Sequence, residues 1–165
     1  MSQGTNEMGM APKPDRRALS AAARLYAVQA LFQMEASSQG ADRIQQEFLT
    51  YRIGAEHEDG RSADADERLF GRIVDDAVTW QSRIDQATDR ALVAKWPIDR
   101  IDPVLRALFR AAGAELVTPK TPPKVVIAEY VRLSEAFFPD GREPKFVNAV
   151  LDHMAREMRA DAFKA

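Results

Sequence analysis

Between about residues 66 and 94, apolar side chains recur at Leu69, Phe70, Ile73, Val74, Ala77, Val78, Ile84, Ala91 and Leu92. Steps of three, four and seven place such residues on one face of an α-helix, whereas a half-buried strand needs alternation. No segment of the chain sustains that alternation. The pattern demands a neighbouring helical face to bury against, and so an all-α fold built from several such helices. It predicts one helix, or two joined near Arg83, ended at Trp96-Pro97 because the residue before proline is pushed out of helical geometry.

The rest of the chain divides the same way. Residues 1–13, rich in Gly, Met, Ser and Pro, read as a disordered tail, and 14–165 as a single all-helical domain. A first helix over about 15–37 carries Leu19, Ala23, Tyr26, Ala27, Ala30 and Met34 on one face, with Arg17 and Arg24 together on another, and Gly40 closing it. A second, over about 41–53, presents Ile44, Phe48, Leu49 and Ile53, and Gly54 to Ala65 has the composition of an exposed acidic loop. Asp102-Pro103 is an N-cap followed by proline at the first helical position, opening a helix that buries Leu105, Leu108, Phe109, Ala112 and Leu116. Thr121-Pro122 repeats the signal before Val126, Tyr130, Leu133 and Phe137. After a turn at Pro139-Asp140-Gly141, a last helix spans about 143–160, with Val147, Val150, Leu151 and Met154 facing the core. The expectation is six or seven helices with short connections.

Composition narrows the function classes. There is no Cys, which removes disulfides, thiolate metal sites and cysteine nucleophiles and fits a reducing compartment. His57 and His153 stand far apart, without metal-ligand spacing nearby. No run of about 18 apolar residues encodes a membrane span, and no signal-peptide core begins the chain, so a cytoplasmic protein is expected. Phosphate loops of the GxGxxG or GxxxxGK[ST] type, the GxSxG elbow and HExxH are all missing. Asp75 and Asp76 are adjacent, and neighbours on a helix point about 100° apart, so they cannot share one site. Nothing calls for an enzyme or a cofactor.

What remains are binding features. The net charge is −2, so any contact with nucleic acid must be focal and salt-dependent. Lys145, Phe146 and Asn148 begin the last helix off its core stripe, and a cation, a ring and an amide at a helix start suit a phosphate and a base. The plainer alternative buries Phe146 and leaves the other two as solvated end residues. Lys13, Arg16, Arg17 and Arg24 make the opening segment basic, with Gln29 and Phe32 further along the same helix. Lys124 follows Pro123 at another helix start. Arg110, amid Leu108, Phe109, Ala111 and Ala112, is read as structural: its stem should be partly buried and its guanidinium paired with Glu129 or Glu115.

Four segments in order resemble the NusB family of transcription antitermination factors. They are Ala23 to Phe32, Trp96 to Ile101 leading into Leu108–Ala112 and Glu115-Leu116, Pro122 to Glu129, and Lys145 to Asp152. The likeness runs from about residue 16 to 156. It implies two packed helical bundles and a non-enzymatic role. The implied partners are single-stranded boxA RNA of ribosomal RNA leader transcripts, NusE (a small-subunit ribosomal protein) and, with it, an antitermination complex on RNA polymerase. Carried over by motif, the RNA contacts implied are Arg24, Gln29, Phe32, Lys124, Lys145, Phe146 and Asn148, with Arg16 and Arg17 matched less directly.

The chain departs from the family at four places. Ser20-Ala21-Ala22-Ala23 stands where an arginine cluster is usual, Arg16 and Arg17 lying about two turns earlier, roughly 10 Å along the axis. Ala128 replaces an asparagine, Ala149 a glycine, and Ala114 an aromatic. The rival reading is a helical protein–protein adaptor without sequence-specific RNA binding. A NusB-like domain also precedes the catalytic part of a ribosomal RNA cytosine methyltransferase, but that part needs a cofactor-binding fold and a cysteine. Self-association as a homodimer, through the face used for partners, stays open.

Overall fold

The computed structural model describes residues 15–95 and 101–163. Seven α-helices are present among them: α1 Arg16–Ser37, α2 Ala41–Tyr51, α3 Glu67–Thr79, α4 Gln81–Lys95, α5 Pro103–Val117, α6 Pro123–Phe137 and α7 Glu143–Met158, followed by a 3-10 turn at Ala160–Phe163. The expected tail and the Trp96-Pro97 stop lie outside the described residues. The all-α expectation holds, and α1–α3 form one packed group and α4–α7 another, joined through α5.

Helix ends follow local chemistry. Asp15, Asp66 and Asp102 each accept a backbone N–H of the first turn, from Ala18, Leu69 and Val104, so three helices start on a carboxylate cap. Two expectations shift. The joint in the long amphipathic stretch falls at Trp80, and not near Arg83, with Trp80 N–H closing onto Asp76 O. The left-handed residue ending α1 is Ser38 (φ 59°), whose N–H reaches Met34 O, while Gly40 is extended and begins α2.

α5 is buried almost all round: Leu105, Ala107 to Phe109 and Ala111 to Leu116 are covered by α1, α3, α4, α6 and α7. Gly113 permits this, because a Cβ there would run into the side chain of Ile84 on α4. In the first group Phe48 stacks on Phe70 at 5.7 Å and meets Tyr26 edge-on at 6.3 Å. Val147, Val150, Leu151 and Met154 of α7 are fully buried, as their spacing requires.

The acidic segment is less loose than its composition suggests. Glu56–His57 and Gly60–Arg61 form a two-residue antiparallel ladder, too short to leave a period in the sequence. Tyr26 OH donates to Ala63 O at 2.8 Å and Asp66 N–H to Leu19 O at 3.0 Å, tying this hairpin to α1.

Candidate nucleic-acid interface

The direction of the helices decides which candidate residues can act together. α6 and α7 are joined by only residues 138–142 and run antiparallel: Arg159, at the end of α7, donates to Thr121 O just before α6 at 3.4 Å. The start of α7 therefore lies at the end of α6. α1 runs alongside α6 in the same direction. Ala21 and Leu25 share a cleft with Glu129, Arg132 and Leu133, and further on Gln29 and Phe32 share a groove with Phe137. Lys124 and Lys145 are thus not one patch but stand near opposite ends of α6, separated by about its length, roughly 22 Å for fifteen residues.

At the near end, Arg16 and Arg17 are exposed in the first turn of α1 and Lys124 in the first turn of α6. No side chain caps α6, and two prolines lead into it. At the far end, Lys145 and Asn148 are exposed on α7, and Phe146 is half-buried against the core. Beside the end of α6 is an apolar groove of about 390 Å³, walled by Val28, Phe32, Val104 and Phe137, with Gln29, Gln33 and Arg52 as polar groups. Phe32 is 39% exposed there, enough ring face for a stacking partner. Arg52 is held over the Phe48 ring at 4.8 Å and donates to Gln33 at 3.0 Å, so its guanidinium is oriented before any ligand arrives.

Placing cations in the first turn of a helix opposes the macrodipole, whose positive end is there. Arg16, Arg17, Lys124 and Lys145 all occupy such positions, and no ion pair engages any of them among the described residues. A bound anion would relieve that unfavourable arrangement and satisfy free backbone donors as well. Asp15, which caps α1, and Glu143, in the first turn of α7, partly offset that field, leaving the uncapped start of α6 at Lys124 the strongest anion attractor of the three.

Arg24 must be corrected. It is only 7% exposed, with Nε donating to Glu115 Oε2 at 2.8 Å and Nη2 to Oε1 at 3.0 Å. Tyr130 OH donates to the same carboxylate at 2.6 Å and Thr121 Oγ1 at 3.3 Å. Burial opposes the charge on Arg24, but the Glu115 carboxylate overcomes it and holds the guanidinium above its ordinary pKa. The Tyr130 hydroxyl, wholly buried beside that carboxylate, is pushed well above its usual value. A buried guanidinium paired through two bonds to the one carboxylate that Tyr130 and Thr121 also bond ties α1, α5 and α6 together and is not presented to a ligand.

Arg110 is structural as expected, but with a different partner. Its Nε and Nη2 donate to Asp85 on α4 at 3.1 and 3.0 Å, with Glu35 of α1 at 3.9 Å. Glu115 is taken by Arg24, and Glu129 lines the α1–α6 cleft instead. Asp85 comes before Arg110 on the preceding helix, a relation visible only once α4 and α5 are packed. Among the described residues, no three of Asp, Glu and His gather closely enough to hold a metal ion, and no helix is long and apolar enough to cross a membrane.

The family model described as the NusB family matches residues 21–156. Curated relatives agree along nearly the whole chain. The chain is 44% identical over 153 residues to the transcription antitermination protein NusB of Maricaulis maris, covering 92% of this chain and 95% of that protein. It is 44% identical to the protein of the same name from Granulibacter bethesdensis, covering 86% and 90%, and 43% to that of Rhodopseudomonas palustris, covering 93% and 91%. With a family match spanning most of its helices and relatives above 40% identity at nearly full length, the chain belongs to the NusB family.

Proposed function

We propose that this chain is a non-enzymatic transcription antitermination factor of the cytoplasm that binds single-stranded boxA-type RNA together with NusE and joins an antitermination complex on RNA polymerase. The observation that carries this is the α1–α6 seam. Cations stand at three helix starts on a chain of net charge −2, and the apolar groove with Phe32 lies where α1 passes the end of α6. Arg16, Arg17 and Lys124 would hold phosphates at one end and Lys145 at the other. Phe32 and Phe146 would stack on bases, while Gln29 and Asn148 would bond base edges. Relatives named as antitermination proteins support the same reading.

The test is titration of a boxA RNA and a scrambled RNA of equal length, with and without NusE, at two salt concentrations. The reading predicts tighter binding of boxA, strengthened by NusE and weakened by salt. Equal, weak binding to both RNAs with NusE present would refute sequence-specific recognition. Intact NusE binding beside it would favour the helical adaptor.

A further inference from the structure

Midway along the seam, between Lys124 and the groove at Phe32, stands a further cation. Arg132 is exposed on α6, eight residues beyond Lys124 and so about 12 Å further along the axis. It lies on the α6 face made by Glu129, Arg132, Leu133 and Ala136, which forms one wall of a cleft of about 230 Å³ against Ala21 and Leu25 of α1. The opposite wall is low, because Ala21 and Ala22 carry only methyl groups, so a chain lying in the seam could approach both helices closely. Among the described residues no ion pair engages Arg132. The carboxylate of the cleft, Glu129, lies near enough to the buried Arg24 to favour its charge.

We infer that Arg132 is a phosphate contact at the centre of the α1–α6 seam, bridging the cationic end at Lys124 and the groove at Gln29 and Phe32. The inference rests on the proposed RNA reading and extends it with a residue. A strand running from Lys124 to Phe32 must cross the Ala21–Leu25 cleft, where α1 offers no exposed cation. A planar guanidinium on the facing helix can meet a phosphate there through two parallel N–H donors.

The experiment titrates boxA RNA, with NusE present, against the full chain and against Arg132→Gln, Arg132→Lys, Lys124→Ala and Arg83→Gln, across a salt series. Arg83 is an exposed arginine on α4, which packs on α5 and α7, and serves as the control for bulk charge. Arg132→Gln should weaken binding about three- to tenfold and flatten the slope of log affinity against log salt by roughly 0.7, the value for one phosphate of a single strand. Arg132→Lys should recover part of the loss, and Arg83→Gln should change neither quantity. Loss in Lys124→Ala with wild-type binding in Arg132→Gln overturns this inference and leaves the RNA reading standing. Equal losses in Arg132→Gln and Arg83→Gln overturn it too, since bulk charge would then suffice. Wild-type binding by both Lys124→Ala and Arg132→Gln overturns the inference and the seam reading together.

Discussion

Replacing Arg24 with Met separates a structural arginine from a ligand contact. In the folded protein Glu115 is 3% exposed and receives two N–H bonds from Arg24, so the substitution strands a carboxylate inside the protein. Tyr130 and Thr121 still donate to it, but neither carries a charge. Breaking a buried pair from one side costs about 3–5 kcal/mol, because the remaining charge is uncompensated. For a chain of this size that corresponds to a Tm lower by roughly 6–20 °C. The double replacement Arg24→Met with Glu115→Leu removes both charges and takes the acceptor from the Tyr130 and Thr121 hydroxyls, of which only the first is fully buried, a cost of about 1–3 kcal/mol. Urea denaturation of the wild type, both single variants and the double variant closes the cycle. The double variant should be more stable than Arg24→Met alone. A loss below about 1 kcal/mol in Arg24→Met, typical of an exposed arginine, would refute the buried network. So would additive losses.

Two further outcomes follow from the same packing. Because the folded-state pKa of Tyr130 is raised, its neutral form stabilises the fold at pH values below 10, the ordinary tyrosine value, and that contribution is lost as pH rises beyond it. In denaturation at stepped pH, Tyr130→Phe should therefore show a shallower alkaline decline in stability above about pH 10 than the wild type, with Tyr26, whose pKa burial also raises, keeping the remainder; equal declines would place their origin elsewhere. Gly113→Ala should destabilise by about 1–3 kcal/mol despite alanine's better helix propensity, since its methyl group meets the buried Ile84 side chain on α4. Pairing it with Ile84→Ala should recover part of the loss, measurable by thermal denaturation; a stabilised Gly113→Ala would mean that α4 and α5 have room to spare.

Helical period made the fold legible. The α7 stripe of Val147, Val150, Leu151 and Met154 needs no knowledge of partners to be read as core, because one face of a single helix decides it. Asp102-Pro103 was readable for a similar reason: the cap and the proline act within one turn. Arg24 was misread because its burial depends on Glu115, ninety-one residues further along, and an arginine beside an apolar stripe looks the same on either side of the surface. Arg110 was assigned the right kind of role with the wrong carboxylate, since Asp85 approaches it only through the α4–α5 contact. The break at Trp80 carries no Gly or Pro to announce it. Arg132 carries no signal in the sequence, because a charged residue on an amphipathic helix is ordinarily a solvated one, and only the parallel course of α1 and α6 gives it a place on the seam.

In the proposed function, RNA lies along the α1–α6 seam. Backbone amide chemical-shift mapping of the isotope-labelled chain, titrated with boxA RNA, tests it most directly. Binding along the seam should perturb the first turns of α1 and α6, Gln29, Phe32 and Arg132, and Lys145 to Asn148, with α3 and α4 unmoved. Perturbations centred on α3 and α4, or none at saturating RNA with NusE present, would contradict it.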